Sequence, residues 1–354
     1  MTRRLDICVP HYMETPEEME PLLDSIKIQQ GVDLSQVGVI IAFDGPDATE
    51  LPLDEWRERY PFAIEDVHPE KGGVSHARNA AFDASTAEFL SFSDADDMYC
   101  DVCGLNIVFR EMDMPPNERE LLAMGIDPKT EGPGFDLLIS NFREQTKDPK
   151  TGELVFVDHN NMDATFCHGK YMRRQFLLDN RIRWCDDLHI HEDSYFQILC
   201  REIAKPWRAR YSAHAFYLWK WRDNSVARHD PLYIQKTLTC MIDSNDRLVD
   251  EFVRRMMPEK ANQYVGFMVN DCYFTMCKPE WISETNAEYR DKTERRFASY
   301  LRKHMEQWDA LTPQERVMIS NGVRQRQVME GMLMEPVTIQ QWIDGVLEKY
   351  PQED

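Results

Sequence analysis

The chain has 354 residues, with 62 acidic against 41 basic side chains, a formal charge of −21 and a sequence pI near 4.9. That charge should repel nucleic acid and anionic membranes at long range. The 42% hydrophobic content supplies an ordinary core, no run approaches the roughly 18 apolar residues of a membrane span, and nine scattered cysteines, from Cys8 to Cys277, make no disulfide framework.

Leu5 to Tyr12 reads as a buried strand that stops at Pro10, Pro16 to Gln30 as an amphipathic helix, and Val37 to Phe43 as a second buried strand running into Asp44-Gly45-Pro46-Asp47. This is a βαβ unit, which predicts an α/β fold with a mostly parallel sheet flanked by helices. Next comes Lys71-Gly-Gly-Val-Ser-His-Ala-Arg-Asn-Ala80, where paired glycines free the backbone and Ser75 can cap a helix carrying Arg78 and Asn79. The strand Glu88 to Ser93 then breaks into Asp94, Asp96 and Asp97. Carboxylates this close repel one another unless a cation sits among them, and a D-x-D at a strand end suits a hard divalent ion shared with a diphosphate. A solvated acidic turn is the plain alternative. In an open α/β sheet, ligands bind beyond the carboxyl ends of the strands, so Pro10, Asp44 and Asp94 to Asp97 should converge on one crevice.

Further along, Cys100 and Cys103 have the spacing of a zinc knuckle or redox pair, but no second pair accompanies them and they read as helix residues. Residues 113–134 are rich in turn formers and read as an insertion before a strand at Phe135 to Asn141, expected near the acceptor side as a lid or a surface excursion. His191-Glu-Asp-Ser-Tyr-Phe196 opens an amphipathic helix, where Glu192 and Asp193 either complement the helix dipole or do chemistry. A strand from about His214 to Trp221 puts Trp219 and Trp221 on one face, to stack on a sugar or base or simply to fill core. Beyond about Asp230 long helical patterns take over, at Leu232 to Met257, Ala261 to Cys277 and Glu288 to Trp308. The expected division is 1–230 and a helical domain at 231–354 for acceptor binding or self-association. Arg290, Lys292, Arg295, Arg296, Arg302 and Lys303 crowd one helix, joined later by Arg316, Arg324 and Arg326. They form either a docking surface for a polyanionic acceptor or a face balanced by acidic neighbours.

In this order and spacing, D-G at Asp44, G-x-S-x-A-R-N from Gly73, D-x-D-D at Asp94 and E-D at Glu192 resemble the family 2 glycosyltransferases, enzymes of the GT-A fold that use nucleotide sugars. The likeness continues through His168-Gly-Lys and Ile182-Arg-Trp and ends near Ser225, short of the helical region. The resemblance implies that Asp44 reads the base, most often uracil, and that Arg78 lies beside base or diphosphate. It also implies that Asp94 and Asp96 hold Mn²⁺ or Mg²⁺ and that Asp193 is the general base. Some members add a histidine metal ligand; of His214 and His229, the latter lies in the loop expected by the site. Pro10, His11, Tyr12 and Lys71 are the further nucleotide contacts expected, His11 and Tyr12 because loop position favours function. Glu192, Trp219 and Trp221 fall to the acceptor side. One departure is Gly45-Pro46-Asp47, where the family usually continues Gly-Ser-x-Asp, which leaves the identity of the base less secure.

The expected reaction is an inverting transfer from a nucleotide sugar, UDP-sugar foremost, to a hydroxyl of a glycan, a wall polymer or a hydroxymethylated base in DNA. Its chemistry asks independently for a metal on the leaving diphosphate and one carboxylate base opposite. The alternative is a catalytically silent nucleotide- or glycan-binding module whose helical domain binds a partner. A nucleotidyltransferase would carry a Gly-rich basic loop after the first strand, which Pro10-His-Tyr-Met-Glu14 is not. The amino terminus has no signal-peptide pattern, so a cytoplasmic enzyme is expected.

Overall fold

A computed structural model describes residues 3–148, 150–160, 166–223, 233–329 and 338–352. The chain divides into two compact units, Met1–Asp223 and Asn224–Asp354.

In the first unit the elements run β1 (Leu5–His11), α1 (Pro16–Lys27), β2 (Val37–Phe43), α2 (Leu53–Arg59), β3 (Ala63–Val67), α3 (Val74–Ala84), β4 (Phe89–Phe92), β5 (Met98–Tyr99), α4 (Gly104–Asp113), α5 (Glu118–Ala123), β6 (Leu137–Lys147), β7 (Leu154–His159), β8 (Lys170–Arg173), α6 (Arg174–Asp179), α7 (Glu192–Ile203) and β9 (Ala209–Trp219). The sheet order is β3-β2-β1-β4-β8-β6-β9-β5, with β7 paired to β6. β3, β2, β1 and β4 are parallel; β8 is antiparallel to both β4 and β6, and β6 is parallel to β9. β1 and β2 are nearly continuous apolar runs because helices cover both faces. Leu5, Ile7 and Val9 pack with Met19, Leu22, Leu23 and Ile26 of α1 and Leu105 and Val108 of α4. On the opposite face the buried Asp6 accepts a hydrogen bond from Ser85 Oγ at 2.6 Å and so ties β1 to the end of α3.

The parallel strands all end on one side, at His11, Phe43 and Phe92, and the antiparallel β8 starts there at Lys170. This is the side that the carboxyl-end rule assigns to ligands. β1 continues through Pro10 to His11, but its ladder to β4 stops at Cys8, two residues before Pro10, which has no N–H to leave unpaired. The segment 113–134 sits at the other end. Gly134 N–H donates to Met114 O, and Pro133 O accepts from Arg173, whose guanidinium lies over Phe89 at the start of β4. The expectation that it borders the acceptor is therefore corrected: it packs against the amino ends of the parallel strands. Cys100 follows β5 and Cys103 is the residue before α4, so neither is a helix residue as expected.

The second unit is helical throughout its described residues: α8 (Tyr233–Arg254), α9 (Pro258–Met276), α10 (Pro279–Ser283), α11 (Ala287–Lys303), α12 (Met305–Asp309), α13 (Pro313–Met329) and α14 (Ile339–Lys349). Its core brings together Leu238, Ile242 and Phe252 of α8, Val265, Val269 and Cys272 of α9, and Phe297, Tyr300 and Leu301 of α11, all buried. Most of the cations of α11 are spent internally. Arg296 bonds Asp243 at 2.6 Å and Asp246 at 2.5 Å, Lys303 bonds Asp246 at 2.7 Å and Asp250 at 2.6 Å, and Arg295 bonds Asp291 at 2.7 Å. Arg290 and Arg302 donate to backbone carbonyls, and Arg326 pairs with Asp271. Acidic neighbours balance this helix, which removes the argument for it as a polyanion docking surface. No helix among the described residues is long and apolar enough to cross a membrane.

Candidate active site

The site is organised by one face of α3. Gly73, at φ 85°, is the residue before the helix, a backbone conformation that glycine adopts without strain. It takes the cap position expected of Ser75, which instead lies in the first turn and donates to Leu188 O at 3.2 Å. Three and four residues on, Arg78 and Asn79 share that face. Asn79 Nδ2 donates to Trp184 O and to Asp186 Oδ1, both at 2.9 Å, and its Oδ1 accepts from Trp184 N–H at 3.1 Å. The helix thus pins the loop that delivers the E-D pair.

Arg78 is 3% exposed and reaches both acidic motifs. One terminal nitrogen donates to Glu192 Oε1 and Asp193 Oδ1, each at 3.0 Å; the other donates to Asp94 Oδ1 at 2.9 Å. Its guanidinium lies 4.4 Å over the Trp184 ring, which is stacked on Phe196 at 4.2 Å. A fork-shaped cation that is always charged is the side chain suited to hold three carboxylates in fixed positions. His191, immediately before α7, adopts the left-handed conformation at φ 64°, which is strained for a residue with a side chain. The strain falls where it aims Glu192 and Asp193 from the first helical turn.

The two carboxyls differ electrostatically. Burial, and then the charge of Asp193, pushes Glu192 up to about 7. Burial also acts against ionisation of Asp193, yet the Arg78 charge, His168 and the Cys167 N–H at 3.3 Å pull it below the usual carboxylate range. Asp193 is therefore the ionised member at neutral pH.

In the D-x-D-D turn, Asp97 is structural. It is buried, accepts from the Tyr217 hydroxyl at 2.8 Å and from Lys220 N–H at 2.9 Å, and so fixes the turn to the end of β9. Asp96 Oδ2 accepts from Arg222 at 3.0 Å, and Arg222 is also near Glu14 at 3.6 Å and Glu18 at 3.4 Å. Burial, then the charge of Asp94, raises the Asp96 pKa. Asp94 Oδ2 and Asp96 Oδ1 receive no hydrogen bond from any described residue. A pair of adjacent carboxylates, each with an oxygen to spare and one unwilling to ionise beside the other, fits a hard divalent cation.

Just beyond the carboxyl end of β2, Asp44 is 8% exposed, and its carboxylate accepts from Gly72 N–H at 2.8 Å and Gly73 N–H at 2.9 Å. Tyr12 and Lys71 meet at Asp47: the Tyr12 hydroxyl donates to it at 2.8 Å and Lys71 Nζ at 2.6 Å, with Nζ 4.1 Å over the Tyr12 ring. His11 does not reach the crevice surface. It is 1% exposed, with Nε2 against Thr49 O at 2.7 Å and Nδ1 at 3.3 Å from Glu14.

Trp219 and Trp221 do not share a strand face, because β9 ends at Trp219. Trp219 lies 5.4 Å from His168 and 5.7 Å from Phe166, beside the site, whereas Trp221 lies under Lys147 and donates to Asp223. His214 is exposed in the middle of β9 and is part of no cluster of metal-ligating residues found among the described residues. His229 lies outside the described residues.

Residues 6–110 match the family model described as glycosyl transferase family 2. The matched stretch holds β1 to α4, with Asp44, Arg78 and the D-x-D-D turn. No curated protein matches the chain. Among solved structures, residues 1–349 of S. aureus TarS in complex with UDP-GlcNAc align at TM-score 0.63 and 15% identity, over 94% of this chain and 93% of that one. The same fragment in complex with UDP gives 0.56 and 14% over the same shares. Longer S. aureus TarS gives 0.59 and 15%, covering 89% of this chain and 50% of that one, so the chain spans about half the length of that relative. Identities this low speak to the fold, which is that of a GT-A glycosyltransferase with a helical carboxyl-terminal region. Sequence reasoning missed Trp184, Tyr217 and Arg222, which buttress Arg78, Asp97 and Asp96. Each lies in a segment of the resemblance, Trp184 in Ile182-Arg-Trp and the other two in Tyr217 to Ser225, but no spacing there assigned them a partner.

Proposed function

We propose that the domain moves a sugar from a nucleotide sugar to an acceptor hydroxyl by a metal-assisted single displacement that inverts the anomeric centre. The observation that carries this reading is the position of Arg78, which bonds Asp94 of the D-x-D turn on one side and Glu192 with Asp193 on the other. Leaving-group machinery and acceptor machinery thus meet at one buried cation.

Asp94 and Asp96 would hold the divalent ion, with His229 as the further ligand, and a bound ion would neutralise the leaving diphosphate. Asp193, kept ionised by Arg78, accepts the proton of the attacking hydroxyl. Glu192, pushed up to about 7 by burial and then Asp193, donates a hydrogen bond to the acceptor in its protonated form, with Trp219 as a stacking surface. Asp44 presents its carboxylate edge to the base, with Pro10 and the Tyr12–Lys71 pair along the same wall; His11 supports that wall from behind. S. aureus TarS is solved with UDP and UDP-GlcNAc, which makes uridine donors the first to test. The acceptor is a glycan or wall-polymer hydroxyl, and the helical domain from about residue 231 serves acceptor binding or self-association. Nine unpaired cysteines support a reducing, cytoplasmic setting.

The test is a thermal-shift panel of UDP, GDP and their sugars, each with and without Mn²⁺. A ligand at 100 times its Kd adds about 2.7 kcal/mol, or roughly 5–10 °C for a unit of this size. A Mn²⁺-dependent rise with a uridine ligand supports the reading; no shift with any nucleotide overturns it in favour of a silent module.

A further inference from the structure

Directly behind the D-x-D turn, Asp94, Cys167 and His168 each offer a ligand atom, and these atoms lie within 4.8 Å of one another. Cys167 Sγ stands 4.0 Å from His168 Nδ1. Donors about 2.0–2.3 Å from a tetrahedral ion are about 3.3–3.7 Å apart, so the sulfur and nitrogen are within roughly a few tenths of an ångström of coordinating distance. The imidazole is held between Tyr217, stacked at 4.9 Å, and Phe166, stacked at 5.6 Å. Cys167 and His168 are 1% and 3% exposed, while the Asp94 side chain is 33% exposed. Two ligands are thus fixed and dry and the third opens to the crevice, with Arg78 alongside, 3.9 Å from Cys167 Sγ and 2.9 Å from Asp94 Oδ1. Asp94, Asp97 and Asp193 face the place, against Arg78 and Lys170.

We propose that Asp94, Cys167 and His168 form a second divalent-ion site, selective for a borderline-soft ion of the zinc type. Thiolate and imidazole ligands suit zinc and cobalt, whereas Mn²⁺ and Mg²⁺ prefer the all-oxygen D-x-D carboxylates. Binding replaces the Cys167 thiol proton, which passes to the buffer. An ion here takes Asp94 from the donor ion, so zinc inhibits transfer in competition with manganese. This inhibitory consequence rests on the proposed function; the coordination does not.

The full chain, stripped of metal, is titrated with Co²⁺ while the near-ultraviolet thiolate-to-cobalt band is recorded. One equivalent should produce the band, and Zn²⁺ should abolish it. Cys167→Ser should lose it, and His168→Gln should keep it with weakened affinity. Asp96→Ala should retain the band while losing the Mn²⁺-dependent thermal shift with UDP, which separates the two sites. No band at stoichiometric cobalt, a band that survives Cys167→Ser, or unchanged affinity in His168→Gln would each overturn the proposal. If Cys167→Ser does not fold, His168→Gln decides alone. A missing UDP shift beside an intact cobalt band would sink the transferase reading and leave this one standing.

Discussion

Replacing Glu192 by Gln should stabilise the unit that holds the site at pH 8 and have little effect at pH 5. Glu192 titrates near 7 in the folded protein, because burial and then Asp193 oppose its charge, against an ordinary 4.5. A carboxyl raised in this way favours folding in its protonated form: its contribution is complete below about pH 4.5 and is lost as the pH rises through 7. The amide has nothing to lose. At about 1.4 kcal/mol per pH unit, the gain at pH 8 is at most about 3 kcal/mol, falling below about 1 kcal/mol at pH 5. For a unit of this size that is roughly 6–12 °C in Tm, shrinking to about 2 °C. Arg78 keeps an acceptor at the amide oxygen, so the ion cluster is not otherwise broken. Scanning calorimetry of both proteins in metal-free buffer from pH 5 to 8 makes the comparison. A variant no more stable than wild type at pH 8, or a gap that does not change with pH, would refute the assignment of Glu192 as the protonated partner of an ionised Asp193.

Three further outcomes are expected. Asp193→Asn should lower transfer by at least about 10²-fold with the Mn²⁺-dependent UDP shift intact; turnover at the wild-type rate would mean that the base lies elsewhere. Gly73→Ala forces a side chain into φ 85°, costing about 1–2 kcal/mol, and shifts an amide that holds Asp44, so both Tm and UDP affinity should fall; calorimetric titration reads the second. Arg296→Glu removes two carboxylate contacts and adds a like charge. It should destabilise the helical unit by about 2–3 kcal/mol, below the 3–5 of a fully buried pair because a quarter of the side chain is exposed. Unaltered stability with a salt-dependent rise in acceptor KM would restore the docking-surface reading.

What could be read in the sequence follows from which residues carry a local signal. β1, β2 and β4 are legible because both faces are buried and the runs are almost purely apolar. β3, with Glu65 and Asp66 in its five residues, β8, which follows Gly169 directly, and the largely exposed β7 carry no such pattern. Their strand character comes from neighbours in the sheet, which tertiary pairing supplies and propensity does not. The α3 glycines, Arg78 and the acidic motifs are legible as spacings, but their partnerships are not. Arg78 meets Glu192 across 114 residues, and Asp96 meets Arg222 across 126. Nor does a strand pattern tell where β9 stops, which is why Trp221 was placed beside Trp219. His11 ends β1, where the sequence suggests a loop contact, but the chain folds Thr49 and Glu14 over it.

The sharing of Arg78 has a consequence for how ligands load. Whatever engages Asp94 and whatever engages Asp193 draw on the same guanidinium, so their binding free energies are not separable. If occupancy at one end alters affinity at the other by some factor, the reverse effect must have the same size, since the cycle has to close. Donor and acceptor affinities measured alone would then misstate those of the ternary complex, and the order of addition would change the path without changing the total. On the proposed reading, the span of that one side chain makes the crevice a coupled pair of sites.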